Sequence, residues 1–209
     1  MNIGICGGTF DPFHRGHLEP ILAVRAAMQW DRVLYVPAFI QPFKQHRATA
    51  SPFHRFAMLT AATIDHDFLF ADAVEIERRR VSYSVETLEE LRAAHSDDTL
   101  DWIIGDDNLP QLAEWKSIDR IFELANFAVL TRGNHEVPQA FADRVRKPAE
   151  RPAHGTITFV ENPMVPVSST EIRRRVQEGQ SIDELVPPPV SRYIQHYGLY
   201  RKANREQFD

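Results

Sequence analysis

Residues 3–17 read IGICGGTFDPFHRGH, and this stretch decides the fold that we predict for the 209-residue chain. It begins as a short apolar strand that ends at Gly7 and Gly8, where the lack of a Cβ lets the backbone turn sharply and approach a ligand. Residues 18–30 follow with apolar side chains at helical spacing. A strand, a glycine turn and a helix start direct backbone N–H groups and the positive helix end to one point. The stretch therefore predicts a nucleotide site.

Two histidines, His14 and His17, stand between the glycine turn and the helix. Imidazoles in this place can donate hydrogen bonds to phosphate oxygens. Zinc is the alternative, but a tetrahedral site needs further ligands, and the nearby candidates are only Asp11 and Glu19. The chain also lacks a GxxxxGK[ST] P-loop and a GxGxxG fingerprint after its first strand. We therefore predict a phosphate role for both histidines and no protein-held metal.

The composition is that of an ordinary globular protein, with 43% hydrophobic and 25% charged residues. A net charge of −5 argues against a broad nucleic-acid surface. One cysteine excludes an internal disulfide framework and a multi-cysteine zinc site. The sequence has no run of about 18 apolar residues and no signal-peptide pattern. We expect a cytoplasmic protein that binds neither nucleic acid nor a membrane, and the sequence leaves a homo-oligomer open.

Apolar segments alternate with amphipathic ones along the chain, and this alternation predicts βαβ units in a doubly wound, mostly parallel α/β sheet. One domain is expected over residues 1–209, with a small helical part at about 168–200. Phe68–Glu77 is expected to form one bent strand or two short ones, and Ser51, Ser84 and Ser168 to cap helices. Further strands are expected at residues 3–6, 32–36, 100–105, 127–131 and 156–160.

Ligands of doubly wound sheets bind beyond the carboxyl ends of the strands, so the loops after the first and fourth strands should face one cleft. Asp107 follows the fourth strand and is suited to bind ribose hydroxyls, although aspartate also favours turns. Trp115 is suited to stack on an aromatic ring or to pack in the core. Lys44 is either a phosphate ligand or a solvated lysine.

A second polar cluster, SSTEIR at residues 168–173, opens a helix near the end of the chain. Its hydroxyls and backbone N–H groups, together with Arg173, are suited to bind phosphate. Plain capping is the alternative for Ser168, because a glutamate follows it three residues on.

The strings GGTFDPFHRGH and VSSTEIR resemble the HxGH and (I/V)SSTxIR motifs of the nucleotidylyltransferases. Within that superfamily the chain resembles bacterial nicotinate-nucleotide adenylyltransferases, and the similarity extends through VSYSVETL, WIIGDDNL, AEWKSI and VSRYIQHYGLYR. The resemblance implies a Rossmann-like fold and the transfer of AMP from ATP to nicotinate mononucleotide. The products would be deamido-NAD and pyrophosphate, with Mg²⁺ held mainly by the ATP phosphates.

The resemblance also implies residue roles. His14, His17, Lys44 and Arg173 would serve catalysis, with His17 helping to stabilise the transition state. Both histidines and Arg173 would also bind ATP, together with Gly8, Thr9, Phe10, Gly105, Asp107, Ser168, Ser169 and Thr170. Nicotinate mononucleotide would contact Lys44, Tyr83, Ser84, Thr87, Trp115 and Lys116.

Two alternatives stay open at this point. Nicotinamide mononucleotide or another acceptor such as phosphopantetheine would also suit an adenylyltransferase, although Trp115 and SYSVETL favour a pyridine ring. A nucleotide sensor without turnover is the alternative from another class. The intact HxGH pair and Arg173 favour turnover.

Overall fold

Six parallel strands form one sheet in a computed structural model that describes residues 1–40, 50–131 and 137–201. The strands are β1 (Asn2–Gly8), β2 (Arg32–Pro37), β3 (Leu69–Ala71), β4 (Thr99–Gly105), β5 (Asn126–Thr131) and β6 (Ile157–Glu161). Their order is β3-β2-β1-β4-β5-β6, and every neighbouring pair is parallel. The order reverses between β1 and β4, which is where doubly wound sheets bind ligands. The predicted α/β fold class is confirmed.

The helices of the described residues lie on both faces of the sheet. They are α1 (Arg15–Met28), α2 (Pro52–Thr63), α3 (Val74–Arg78), α4 (Ser84–Ala94), α5 (Ile118–Leu124), α6 (Ser169–Gln177) and α7 (Pro188–Tyr197). Shorter 3₁₀ segments occupy Asp106–Glu114, Gln139–Arg144 and Pro148–Glu150. No helix in these ranges combines the length and the apolar character needed to cross a membrane.

Strand β2 shows why the sheet needs helices on both faces. Its Val33 and Tyr35 pack in a core with α1, α2 and α7, whereas Leu34 and Val36 pack in a second core with α4 and α5. Successive side chains of a strand point to opposite faces, so a strand that is apolar throughout must be covered twice. Helices therefore cover both faces of the sheet.

Two local predictions are wrong. Only Leu69–Ala71 of the expected 68–77 strand region is extended, and α3 begins at Val74. The Asp72 carboxylate accepts a hydrogen bond from the backbone N–H of Val74 (2.8 Å), a local turn that ends the strand. Ser84 is the first residue of α4 rather than its cap, because helical bonding already starts at the carbonyl of Tyr83.

The other two predicted caps are confirmed. The Ser51 hydroxyl accepts a hydrogen bond from the N–H of His54 (3.3 Å), and that of Ser168 accepts one from the N–H of Glu171 (3.2 Å). Each hydroxyl thereby satisfies one N–H group of a first helical turn that has no intrahelical partner. Both caps fix helix starts at the same end of the sheet as the predicted nucleotide site.

A buried ionic cluster lies at the end of the sheet opposite to the predicted nucleotide site. Asp101 in β4 is fully buried, and its carboxylate accepts hydrogen bonds from the Trp30 indole (2.7 Å) and the Asn126 amide (3.1 Å). Arg151 completes the cluster with its Nε 3.2 Å from Asp101 Oδ2. These contacts join the connection between α1 and β2, the strands β4 and β5, and the segment before β6.

Asp101→Asn is expected to lower the free energy of unfolding by about 1–3 kcal/mol, because the buried Arg151 guanidinium then faces an amide instead of a carboxylate. Urea denaturation followed by circular dichroism measures the loss. Asp97→Asn is the matched control, since Asp97 is exposed and should leave stability unchanged. Equal curves for the two variants would contradict the role given to the cluster.

Candidate active site

A cleft of about 730 Å³ opens at the carboxyl ends of β1 and β4. Its walls come from the β1–α1 loop (residues 9–14), the starts of α1 and α4, and the 3₁₀ segment after β4. The predicted site residues that line it are Gly8, Thr9, Phe10, His17, Tyr83, Ser84, Gly105, Asp107, Trp115 and Lys116. Residues from distant parts of the sequence therefore meet where the topology predicts a ligand.

Gly7 and Gly8 form one wall of this cleft, but the sharp turn predicted at these residues is wrong, because both are the last residues of β1 and pair with β2. The two glycines pack closely against aromatic rings. A Cβ added to Gly7 would lie 2.8 Å from the Trp102 ring, and one added to Gly8 would lie 2.9 Å from the Phe10 ring. Both rings are buried and cannot give way. Phe10 itself has a φ of 50°, the left-handed region that side chains other than glycine rarely adopt. The segment from Gly7 to Phe10 is thus held in one conformation beside the cleft.

His17 is oriented by the loop that precedes it. The backbone N–H of His14 donates to His17 Nδ1 (3.3 Å), so the neutral ring carries its proton on Nε2. The two imidazoles stack with their centroids 3.7 Å apart, and the Phe10 ring meets that of His17 edge-on at 5.0 Å. The result is a fixed ring in the tautomer that can donate to a phosphate oxygen. His14 is the buried N-cap residue of α1.

The wall after β4 carries the predicted ribose and pyridine contacts. Asp107 is exposed, and its carboxylate accepts a hydrogen bond from the Asn108 amide (3.2 Å). Trp115 packs against the core ring of Phe127 at 75° with centroids 5.9 Å apart, and it also lines the cleft. One part of the Trp115 side chain therefore packs in the core and another borders the cleft, and stacking on a ligand ring stays a prediction.

The start of α4 brings positive charge to the cleft. Tyr83 and Ser84 lie at its N-terminus, where the helix dipole and unbonded N–H groups favour an anion. Lys116 Nζ lies 4.2 Å from the centre of the Tyr83 ring and donates to the Glu86 carboxylate (2.8 Å). This hydrogen bond holds the pKa of Glu86 below its ordinary value.

Thr87 lies behind this wall. It is fully buried, and its hydroxyl donates to the Glu75 carboxylate (2.6 Å) while it accepts from Arg78. Glu75 does line the cleft, and burial raises its pKa. Nothing in the sequence around Glu75 marks it as a cleft residue.

Helix α6 docks its first turn on the β1–α1 loop. The Ser169 hydroxyl donates to the carbonyl of Pro12 (3.2 Å), and Arg173 Nη1 donates to the carbonyl of Asp11 (2.5 Å). Arg173 Nη2 also lies 3.4 Å from the Thr170 hydroxyl. The two predicted phosphate-binding segments therefore touch, through residues that are 157 and 162 positions apart in sequence. Lys44 lies outside the described residues.

Arg55, which is absent from the sequence predictions, supports the cleft from behind by binding the carbonyl of Thr9. Its side chain is 2% exposed and donates to the carbonyls of Thr9 and Ala38, each at 2.6 Å. Burial lowers the pKa of this guanidinium. The sequence does contain a signal for this role, because helical spacing places Arg55 on the same buried face of α2 as Met58 and Ala62. A cation on an apolar stripe indicates buried acceptors.

A family model described as cytidylyltransferase-like matches residues 5–175 of the chain. Two similar relatives are each named "Probable nicotinate-nucleotide adenylyltransferase". That of Thermoanaerobacter sp. (strain X514) is 36% identical over 206 residues, which cover 97% of this chain and 95% of the relative. That of Roseiflexus sp. (strain RS-1) is 38% identical over 200 residues, which cover 95% of this chain and 98% of the relative.

Solved structures with the same fold include the nicotinic acid mononucleotide adenylyltransferase of Plasmodium falciparum. Its complex with APC has a TM-score of 0.70 at 18% identity and covers 95% of this chain and 96% of that chain. Its complex with NaAD has a TM-score of 0.70 at 20% identity and covers 95% of this chain and 97% of that chain. At such identities the likeness concerns the fold alone.

Proposed function

The chain belongs to the nicotinate-nucleotide adenylyltransferases of the cytidylyltransferase-like family, and we propose that its cleft joins the adenylyl group of ATP to nicotinate mononucleotide. The products are deamido-NAD and pyrophosphate. The observation that carries the proposal is a single cleft that holds both the oriented His17 and the half-buried Trp115. The complex of the P. falciparum enzyme with NaAD shows that this fold accommodates such a product.

The reaction needs no protein nucleophile. A phosphate oxygen of the mononucleotide attacks the α-phosphorus of ATP, the new P–O bond forms, and the bond from the α-phosphorus to the bridging oxygen breaks to release pyrophosphate. Catalysis then consists of positioning and of stabilising the charge that develops on phosphate oxygens. His17 supplies an Nε2–H donor for this charge. Arg173 and the first turn of α6 bind the phosphates that leave.

The remaining contacts follow from the walls of the cleft. Asp107, beside Gly105, accepts hydrogen bonds from the adenosine ribose, and Trp115 stacks on the pyridine ring. The N-terminus of α4 at Tyr83 and Ser84 faces the nicotinate carboxylate, to which Lys116 adds a positive charge. Thr87 contributes by supporting this helix start from behind.

Magnesium enters the site with ATP in this proposal. Within the described ranges, His, Cys, Asp and Glu side chains form no group of three or more that could hold a metal ion. We expect the ion to be held mainly by ATP phosphates and water, as Mg²⁺ usually is, and to neutralise phosphate charge. Four statements from the sequence stay predictions: Lys44 binds phosphate, the chain forms one domain, the protein is cytoplasmic, and the sequence allows a homo-oligomer.

Pyrophosphate release tests the proposal directly. Purified protein is incubated with ATP and Mg²⁺ plus nicotinate mononucleotide, nicotinamide mononucleotide or phosphopantetheine. We expect release with nicotinate mononucleotide well above that with the other two. Release with phosphopantetheine alone would show that the acceptor is not a pyridine nucleotide. Binding of ATP without pyrophosphate release for any acceptor would identify a nucleotide sensor instead.

Lys116→Gln is expected to reduce the preference for nicotinate over nicotinamide mononucleotide by about 2- to 5-fold, the range of a half-exposed ion pair. The ratio of the two kcat/KM values measures it. Arg120→Gln, on an exposed surface at α5, is the matched control that removes an equal charge elsewhere. An unchanged ratio in the Lys116 variant would assign carboxylate recognition to the start of α4 alone.

A further inference from the structure

Asp11 is buried in the β1–α1 loop, where it contacts three distant parts of the chain. Its Oδ1 accepts hydrogen bonds from the Tyr200 hydroxyl (2.7 Å) and the backbone N–H of Ala50 (3.0 Å). Its backbone carbonyl accepts from Arg173 Nη1 (2.5 Å), which also lies 3.5 Å from Oδ2. Only 2% of Asp11 is exposed, so these contacts replace its hydration.

The two carboxylate oxygens have different partners. Oδ1 receives two neutral donors, which fix the rotation of the carboxylate, and Oδ2 is thereby turned toward the guanidinium of Arg173. Charge-assisted contacts of this kind orient a guanidinium as well as attract it. The Arg173 side chain is 24% exposed, which is low for a long charged side chain at a helix start.

The sign of the charge makes this arrangement informative. A buried carboxylate beside a triphosphate site repels ATP, so its presence there is unfavourable for binding unless it performs another task. The cation Arg55 approaches the same loop through the carbonyl of Thr9 (2.6 Å). Asp11 thus interacts electrostatically with two guanidiniums, and only the one on α6 belongs to the ATP contacts proposed above.

We propose that Asp11 is the positioning residue of Arg173 and holds its guanidinium where it pairs with the ATP phosphates. Asp11 acts through Arg173 and does not touch the substrate. The inference rests on the proposed function, because it assumes that Arg173 binds ATP. Its consequence is that removing a negative charge from the site weakens ATP binding, the opposite of what electrostatic repulsion alone predicts.

The test compares five forms of the full chain: wild type, Asp11→Asn, Tyr200→Phe, Arg173→Ala and the double variant Asp11→Asn/Arg173→Ala. Pyrophosphate release gives kcat and the KM values for ATP and for nicotinate mononucleotide, and thermal melting gives Tm. Wild-type turnover is measured first, so that failure of the proposed function is recognised separately from failure of this inference. Asp11→Ser, with a small hydroxyl side chain, replaces the Asn variant if that variant does not fold.

We expect Asp11→Asn to raise the KM for ATP by about 10- to 100-fold, because a displacement of about 1 Å in a binding group has effects of this size. The KM for nicotinate mononucleotide should change much less. In the Arg173→Ala background the same substitution should add little, because a double-mutant cycle reveals action through a shared partner. Tyr200→Phe removes one of the two donors that fix Oδ1, so it should raise the KM for ATP in the same direction as Asp11→Asn but by a smaller factor.

Two results would overturn the inference. An unchanged or lower KM for ATP in Asp11→Asn would show that the carboxylate only repels the triphosphate or only stabilises the fold. A full effect of Asp11→Asn in the Arg173→Ala background would show that Asp11 acts independently of Arg173.

Discussion

His17→Ala is expected to slow adenylyl transfer by about 100- to 1000-fold while the chain stays folded, the usual loss when one donor to a developing oxyanion is removed. The reason is the fixed tautomer. His17 Nδ1 is engaged by the N–H of His14, so Nε2 carries the proton that stabilises charge in the transition state. Since water cannot reproduce a preorganised donor, the loss should appear mainly in kcat.

Single-turnover and steady-state pyrophosphate release measure this effect, and circular dichroism confirms folding. His66→Ala is the matched control, because His66 lies outside the cleft and contacts Phe68. His17→Gln retains an amide donor at about the reach of Nε2 and should fall between wild type and the alanine variant. Near-normal turnover in His17→Ala would remove this histidine from the chemistry.

The fold was predictable where a local pattern carries it. An apolar β2 and the Ser51–Pro52 helix entry each act within a few residues, and both are found. The sharp turn predicted at residues 7–8 is not found, because β1 extends through Gly8. The strand order and the meeting of α6 with the β1–α1 loop depend on tertiary contacts. The sequence alone supports these only through topology rules or resemblance.

The site was less predictable, because its supporting contacts join residues far apart in sequence. Asp11 and Tyr200 are 189 residues apart, and no periodicity or spacing connects them. Thr87 shows a second difficulty. Its motif predicts a contact with the substrate, whereas its hydroxyl donates to Glu75 behind the cleft wall. Sequence patterns identify chemistry-bearing residues better than they separate a ligand contact from its support.

Arg55→Met is expected to lower the free energy of unfolding by about 3–5 kcal/mol. Arg55 donates to the carbonyls of Thr9, Ala38, Phe39 and Ala50, so one guanidinium joins the β1–α1 loop, the end of β2 and the entry to α2. Methionine fills a similar volume without any donor. Urea denaturation of the two proteins measures the difference.

The size of this loss in unfolding free energy depends on which hydrogen-bond partners of Arg55 remain in the variant. A buried ion pair can often be replaced by apolar side chains at little cost, because both charged partners disappear together. The acceptors of Arg55 are backbone carbonyls, which no substitution removes, so in the variant they lose these donors and stay desolvated unless water enters. Arg55→Lys should recover part of the stability, since an ammonium retains the charge but cannot span the same acceptors.

Arg120→Met separates this effect from the loss of an arginine as such. Arg120 is half-exposed and pairs with Glu89 and Glu123 on the surface, so its removal should leave the unfolding curve close to that of wild type. Because Arg55 also fixes the carbonyl of Thr9, which directly follows β1, its loss should weaken ATP binding even at temperatures where the variant is folded. A variant that keeps both its stability and its KM for ATP would show that water replaces the guanidinium, and the loop would then owe its conformation to the packing of Phe10 and Gly8 alone.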